Sequence, residues 1–176
     1  AMLEAVGVPS YYTILYGDTS ERNIVSDFSW LQGNHMILAI PDGEEMTWLE
    51  CTSQDAPYGF IGDFTDDRDV LVITPEGGKI EHTKIYKTEE NSQENISKVK
   101  VDVEGNVTAS FQGISKGLQY DDKYLLPKEK KEDLDEKYKN RWSYINGFSI
   151  TDVKLNNDRE EIVFTENLSL NIPNYA

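Results

Sequence analysis

The stretch from Asn34 to Thr52 constrains the fold more than any other. Residues 35–40 are apolar and β-compatible, residues 45–51 alternate, and Asp42-Gly43 lies between them. Asp-Gly is among the strongest two-residue turn signals, because both central positions of a type I′ turn need φ > 0. The spacing predicts a β-hairpin in which position 40 pairs with 45. That register sets His35 opposite Glu50, Ile37 opposite Trp48 and Ala39 opposite Met46, all on one face. Pro41 has no N–H to close the turn, but a loop opened there still pairs 40 with 45. A slip of one residue would send His35 and Glu50 to opposite faces.

Cross-strand partners have Cβ atoms about 4.5–5.5 Å apart, so this imidazole and this carboxylate can meet. A histidine oriented by a carboxylate supplies two members of a nucleophile–base–orienter triad. The same spacing also suits an ordinary surface ion pair. The single cysteine, Cys51, follows Glu50 directly, so alternation turns it to the other face. It is read as a small buried apolar residue rather than as a nucleophile.

The runs Gly33-Asn34-His35-Met-Ile-Leu-Ala-Ile-Pro-Asp-Gly, Thr47-Trp48-Leu49-Glu50-Cys51-Thr52-Ser53 and Pro57-Tyr58-Gly59-Phe60-Ile61-Gly62 resemble the second half of a transglutaminase-like domain. The branch they resemble occurs in multi-domain proteins of Bacteroides-type bacteria. The resemblance implies a papain-like fold whose Cys-His-Asp triad performs acyl transfer. His35 matches the family histidine. Glu50 matches its aspartate and is one methylene longer. The family cysteine opens a helix that would end near Val6, so this chain would lack the nucleophile and be inactive alone. The implied substrate is a protein or peptide, the implied compartment is the periplasm or cell surface, and no cofactor is implied.

Residues 1–6 are expected to end a helix, with Gly7 in the left-handed C′ position and Pro9 preventing continuation. Residues 10–16 read as a strand. Residues 18–34 read as a polar, partly helical connection anchored to the core by Phe28 and Trp30. Asp63, Asp66, Asp67 and Asp69 lack the spacing of a twelve-residue calcium loop and read as solvated. Val70–Ile73 is a short buried strand ended by Pro75-Glu-Gly-Gly78. His82 has no carboxylate at ligand-like spacing and reads as exposed; no zinc-type spacing joins it to His35 and Cys51. The polar run 79–95 marks a boundary, giving units at 1–85 and 86–176.

In the second unit, residues 96–103 and 107–112 alternate around Glu104-Gly105-Asn106, a second hairpin. Pro127 opens a charged helix running to about Ser143, with Leu134, Tyr138, Trp142 and Ile145 as its apolar stripe. Residues 148–155 and 161–172 are two more strands around a turn at Asn156-Asn-Asp158. The strand at 161–172 is expected to leave an exposed edge, from which a continuation of the chain beyond Ala176 is expected. The Asn95, Asn106 and Asn167 sequons read as chance matches. The expected fold class is α+β: the antiparallel-sheet half of a papain-like core, then a small β-sandwich-like domain with one helix.

The chain of 176 residues carries a net charge of −15, which argues against nucleic acid and against anionic membrane surfaces as partners. No apolar run is long enough to span a bilayer as a helix. Loss of the helix that covers a papain-like sheet would expose an apolar face, so a homodimer is expected. Three functions remain open. One is an inactive piece of a cysteine peptidase or amidase. The second is a degenerate transglutaminase fold used for binding or assembly. The third is an unrelated acidic β-rich adaptor, which a different hairpin register would favour.

Overall fold

The computed structural model describes residues 2–175. The chain forms two compact units, residues 1–88 and 89–176. Both are built on antiparallel sheets with few helices, so the fold is a β-rich α+β fold.

The first unit begins with a short helix, α1 (Met2–Ala5). Its end is a Schellman motif: Gly7 N–H donates to Glu4 O, Val8 N–H donates to Leu3 O, and Gly7 sits at φ 76°. α1 buries none of its residues. Five strands follow: β1 (Tyr11–Leu15), β2 (His35–Asp42), β3 (Glu45–Leu49), β4 (Asp69–Thr74) and β5 (Gly77–His82), in the order β3-β2-β1-β4-β5. One face of the sheet carries the core: Leu15, Ile37, Ala39, Trp48, Val70 and Val72, with Ile61 folded over them. The other face leaves Tyr12, Met36 and Ile73 exposed.

The β2–β3 hairpin forms with its register moved by two residues. Asp42 pairs with Glu45, Ala39 with Trp48 and Leu38 with Leu49. The turn is therefore Gly43-Glu44, not Asp42-Gly43. Only Gly43 of this pair has positive φ, at 65°, which is the pattern of a type II′ turn. Proline supplies the physical reason. The pair that closes a two-residue hairpin exchanges hydrogen bonds, so Pro41, one step outward, falls at a non-hydrogen-bonded position where its missing N–H costs nothing. A shift of two preserves every face.

Three further expectations are corrected in this unit. Gly77–His82 is a strand, joined to β4 by a tight Pro75-Glu76 turn, although its sequence is polar. The connection 18–34 contains no helix. Phe28 and Trp30 stack edge to face at 5.7 Å and are both 61% exposed, so they do not anchor the segment to the core.

The second unit is one four-stranded sheet. Its strands are β6 (Gln93–Val101), β7 (Val107–Lys116), β8 (Ser149–Asp158) and β9 (Val163–Ile172), ordered β6-β7-β9-β8. Between β7 and β8 lie α2 (Leu118–Asp121), a 3-10 turn at Leu126–Lys128 and α3 (Lys131–Arg141). Pro127 sits in the 3-10 turn, and extended backbone at Glu129 and Lys130 separates that turn from α3. The helix is thus shorter than 126–143. Its apolar stripe packs as expected: Tyr138 is buried, and Leu134, Trp142 and Ile145 join it against Val107, Leu168, Leu170 and Ile172. One covered sheet replaces the expected sandwich. The strand β8 continues through Asp158, so the turn falls after it rather than at Asn156. β9 is interior, paired on both sides, and the edge expected there does not exist.

Candidate functional site

The end of β1 and the start of β2 place His35. Leu15 pairs with His35, and Asn34 N–H donates to Leu15 O at 3.0 Å. The Asn34 side chain closes the same corner: its Oδ1 accepts from Gly17 N–H at 2.7 Å, and its Nδ2 donates to Gly17 O at 3.2 Å. Gly17 has no room for a side chain, since a Cβ there would lie 2.4 Å from the Phe64 ring and 2.9 Å from His35 Cβ. Phe64 in turn presents its ring to His35 edge to face, 5.1 Å between centroids.

Glu50 follows the last residue of β3. In the observed register it lies diagonal to His35 rather than opposite it, on the same face, and the longer Glu side chain spans that diagonal. His35 Nε2 and Glu50 Oε2 are 2.8 Å apart, and both side chains are largely buried. Glu50 Oε1 accepts from Thr52 N–H at 2.9 Å and from Thr52 Oγ1 at 2.7 Å. Burial pushes the Glu50 pKa up, but the hydrogen bonds from Thr52 and His35 outweigh it and hold the carboxyl below its usual value. Glu50 is therefore an anion fixed by three donors. His35 Nδ1 makes no hydrogen bond among the described residues. Thr52 stands in the quoted motif, but its role as a carboxylate anchor was not foreseen.

Cys51 is exposed, contrary to its reading as a buried residue. β3 ends at Leu49, so strand alternation no longer governs position 51. Partial burial and the neighbouring Glu50 charge raise the Cys51 pKa, which disfavours the thiolate.

The loop behind His35 is held by Arg68, which is 1% exposed. Its Nε donates to Asp66 O at 2.7 Å, and its terminal nitrogens donate to Tyr16 O at 2.6 Å, Asp18 O at 3.1 Å and Asp63 O at 2.9 Å. One guanidinium thus ties the 16–18 corner to the turn that carries Phe64. Nothing in the local sequence marks Arg68 as buried, since it sits in an aspartate-rich run. Asp66 beside it is largely buried, and its pKa is raised to about 6. Burial is the main cause, Arg68 opposes it, and Asp67 and Asp63 add to it.

His82 is not a lone exposed histidine. The β4–β5 register sets it opposite Asp69, and its Nδ1 lies 2.7 Å from Asp69 Oδ1. Its Nε2 lies 2.9 Å from Asp67 Oδ1. Both ring nitrogens can donate only in the imidazolium form. The two hydrogen bonds, to Asp69 and then Asp67, raise the His82 pKa. Missing β5 hid this clamp.

In the second unit Glu166 is fully buried beneath α3, with Lys123 Nζ at 2.9 Å, Arg141 at 2.7 Å and Tyr138 Oη at 2.7 Å. Burial pushes the Glu166 pKa up, but these donors hold the carboxyl below its usual value. Both Glu166 oxygens accept hydrogen bonds from within the fold, which makes it a structural network.

Among the described residues, no group of three or more His, Cys, Asp and Glu is arranged to hold a metal ion. No helix among them is long and apolar enough to cross a membrane. No family model, curated protein or solved structure matches the chain.

Proposed function

We propose that the first unit is the histidine–acid half of a transglutaminase-like cysteine acyl-transfer centre, whose thiol is supplied from outside this chain. One observation carries the reading: the 2.8 Å His35–Glu50 contact, with Glu50 locked by Thr52 and His35 Nδ1 left without a partner among the described residues. Glu50 holds the Nε2 proton in place and so fixes the tautomer. Nδ1 is then the base that takes a thiol proton. The thiolate attacks an amide carbonyl, and the imidazolium returns the proton to the departing amine. Water releases the acyl group, so peptide or amide hydrolysis is favoured over cross-linking. A protein or peptide substrate and a periplasmic or cell-surface setting belong to this reading through the resemblance. The two-residue change of register weighs towards an unrelated adaptor. The chemistry rests on distance, however, and the shifted register still brings the pair together.

The test compares this chain with any longer product of the same gene that contains it. This chain alone should not hydrolyse peptide amides. The longer product should, provided a cysteine opens the helix that ends near Val6, and His35→Ala should lower its turnover by about a hundredfold or more. Undiminished activity in the H35A form would sink the assignment. The second reading, a degenerate fold used for binding, is favoured by Glu50 in place of aspartate and by the exposed Phe28, Trp30 and Leu31. A serine or alanine at the head of that helix, with no hydrolysis, would select it.

A further inference from the structure

The second unit has two sheet edges, and they differ. β8 breaks register with a bulge between Ile150 and Asp152, and the Leu126–Lys128 turn lies against it. Bulges and covering segments are how sheets protect an edge from pairing. β6 has neither. It pairs with β7 without a register shift from Gln93 to Val101, contains no proline, and all nine of its residues are exposed.

We propose that β6 pairs with β6 of a second copy of this chain, antiparallel about a two-fold axis at Ser97. The sequence Gln93-Glu-Asn-Ile-Ser-Lys-Val-Lys-Val101 is self-complementary in that register. Glu94 of each copy faces Lys100 of the other, so the contact forms twice, and Ile96 faces Lys98. No like charges stand directly opposite, which cross-strand pairing would penalise. The strand carries one carboxylate and two ammonium groups in a chain of net charge −15, so the contact is not opposed locally by that excess. On the other face, Val99 and Val101 are 63% and 53% exposed while their β7 neighbour Val107 is buried. Val99 borders an open groove of about 530 Å³ that also takes in Trp142, Tyr144 and Tyr175. In this register Val99 faces Asn95 of the second copy and Val101 faces Gln93, so each valine pair flanks the axis and Ser97 meets Ser97 on it. The product is one continuous eight-stranded sheet closed by two-fold symmetry.

Sedimentation equilibrium of the full chain tests this. The chain should show a concentration-dependent dimer. Lys100→Glu, at an exposed position, should weaken it by roughly tenfold or more, because two attractive pairs become repulsive. Glu94→Lys should do the same. The double variant E94K/K100E should restore association to within about threefold of the original chain. A monomer up to about 100 µM overturns the proposal. So does a dimer unaffected by K100E, which assigns the contact to another surface, or a loss that the double swap fails to restore.

Discussion

Replacing Arg68 with methionine isolates what the buried guanidinium does. Methionine keeps apolar bulk but removes every donor. Two of the accepting carbonyls, Tyr16 O and Asp66 O, belong to buried residues and are held at 2.6 and 2.7 Å. The other two, on Asp18 and Asp63, belong to exposed residues that water can reach. Each orphaned buried carbonyl costs about 1–3 kcal/mol, so two cost about 4 kcal/mol. Removing the guanidinium also lifts its desolvation cost, which returns part of this and leaves about 3 kcal/mol. In a unit of 88 residues, each kcal/mol lowers the midpoint by about 4–8 °C, so R68M should melt about 12–24 °C lower. The assay is thermal unfolding followed by NMR through the indole N–H of Trp48, which is buried in this unit's core. The His35 ring resonances should also lose the shift imposed by Phe64, because Arg68 holds the turn that carries it. A midpoint change equivalent to less than about 0.5 kcal/mol would refute the argument, because surface substitutions alone reach that size.

Further outcomes follow from the other buried groups. His82 has a folded pKa above its ordinary 6.5, so its contribution to stability is complete below pH 6.5 and is lost as pH rises through the raised value. Urea unfolding at several pH values should show this fall, and His82→Gln should abolish it. Asp66 has a folded pKa of about 6 against an ordinary 3.8, so in H82Q the first unit should lose stability as pH rises between those values. Glu166→Gln leaves Lys123 and Arg141 without their buried anion and should destabilise the second unit by about 3–5 kcal/mol, read from Trp142 fluorescence. Gly17→Ala should force Phe64 and His35 apart, cost about 1–3 kcal/mol, and lengthen the His35–Glu50 contact in a crystal structure.

The strands with clear alternation or apolar runs were legible in the sequence, because a half-buried strand must alternate whatever its partner. Their partners were not legible. Pro41-Asp42-Gly43-Glu44 supports a turn centred on either 42–43 or 43–44, and only the cost of Pro41's missing donor separates them. His35 and Glu50 still meet, since faces repeat every two residues. β5 was invisible because Gly77, Gly78, Lys79 and Glu81 carry no apolar pattern; it forms as the edge partner of β4, and the His82 clamp was lost with it. Arg68 and Glu166 look like surface charges until distant carbonyls and cations converge on them. Cys51 was misread because its burial was taken from the general habit of free cysteines, whereas it stands two residues past the end of β3.

The interior position of β9 bears on how the second unit is made during translation. Vectorial synthesis delivers β6, β7, the helical segment and β8 before β9. Until residues 163–172 clear the ribosomal tunnel, β7 and β8 each lack a neighbour, and Tyr138, Arg141 and Lys123 have no Glu166 to close upon. The first unit, whose strands are complete by His82, can already have closed by then. The nascent second unit therefore passes through an interval with unpaired strand edges and an open apolar layer, when a holdase chaperone has most to bind. A stop codon or frameshift placed between β8 and β9 would strand the protein at that stage.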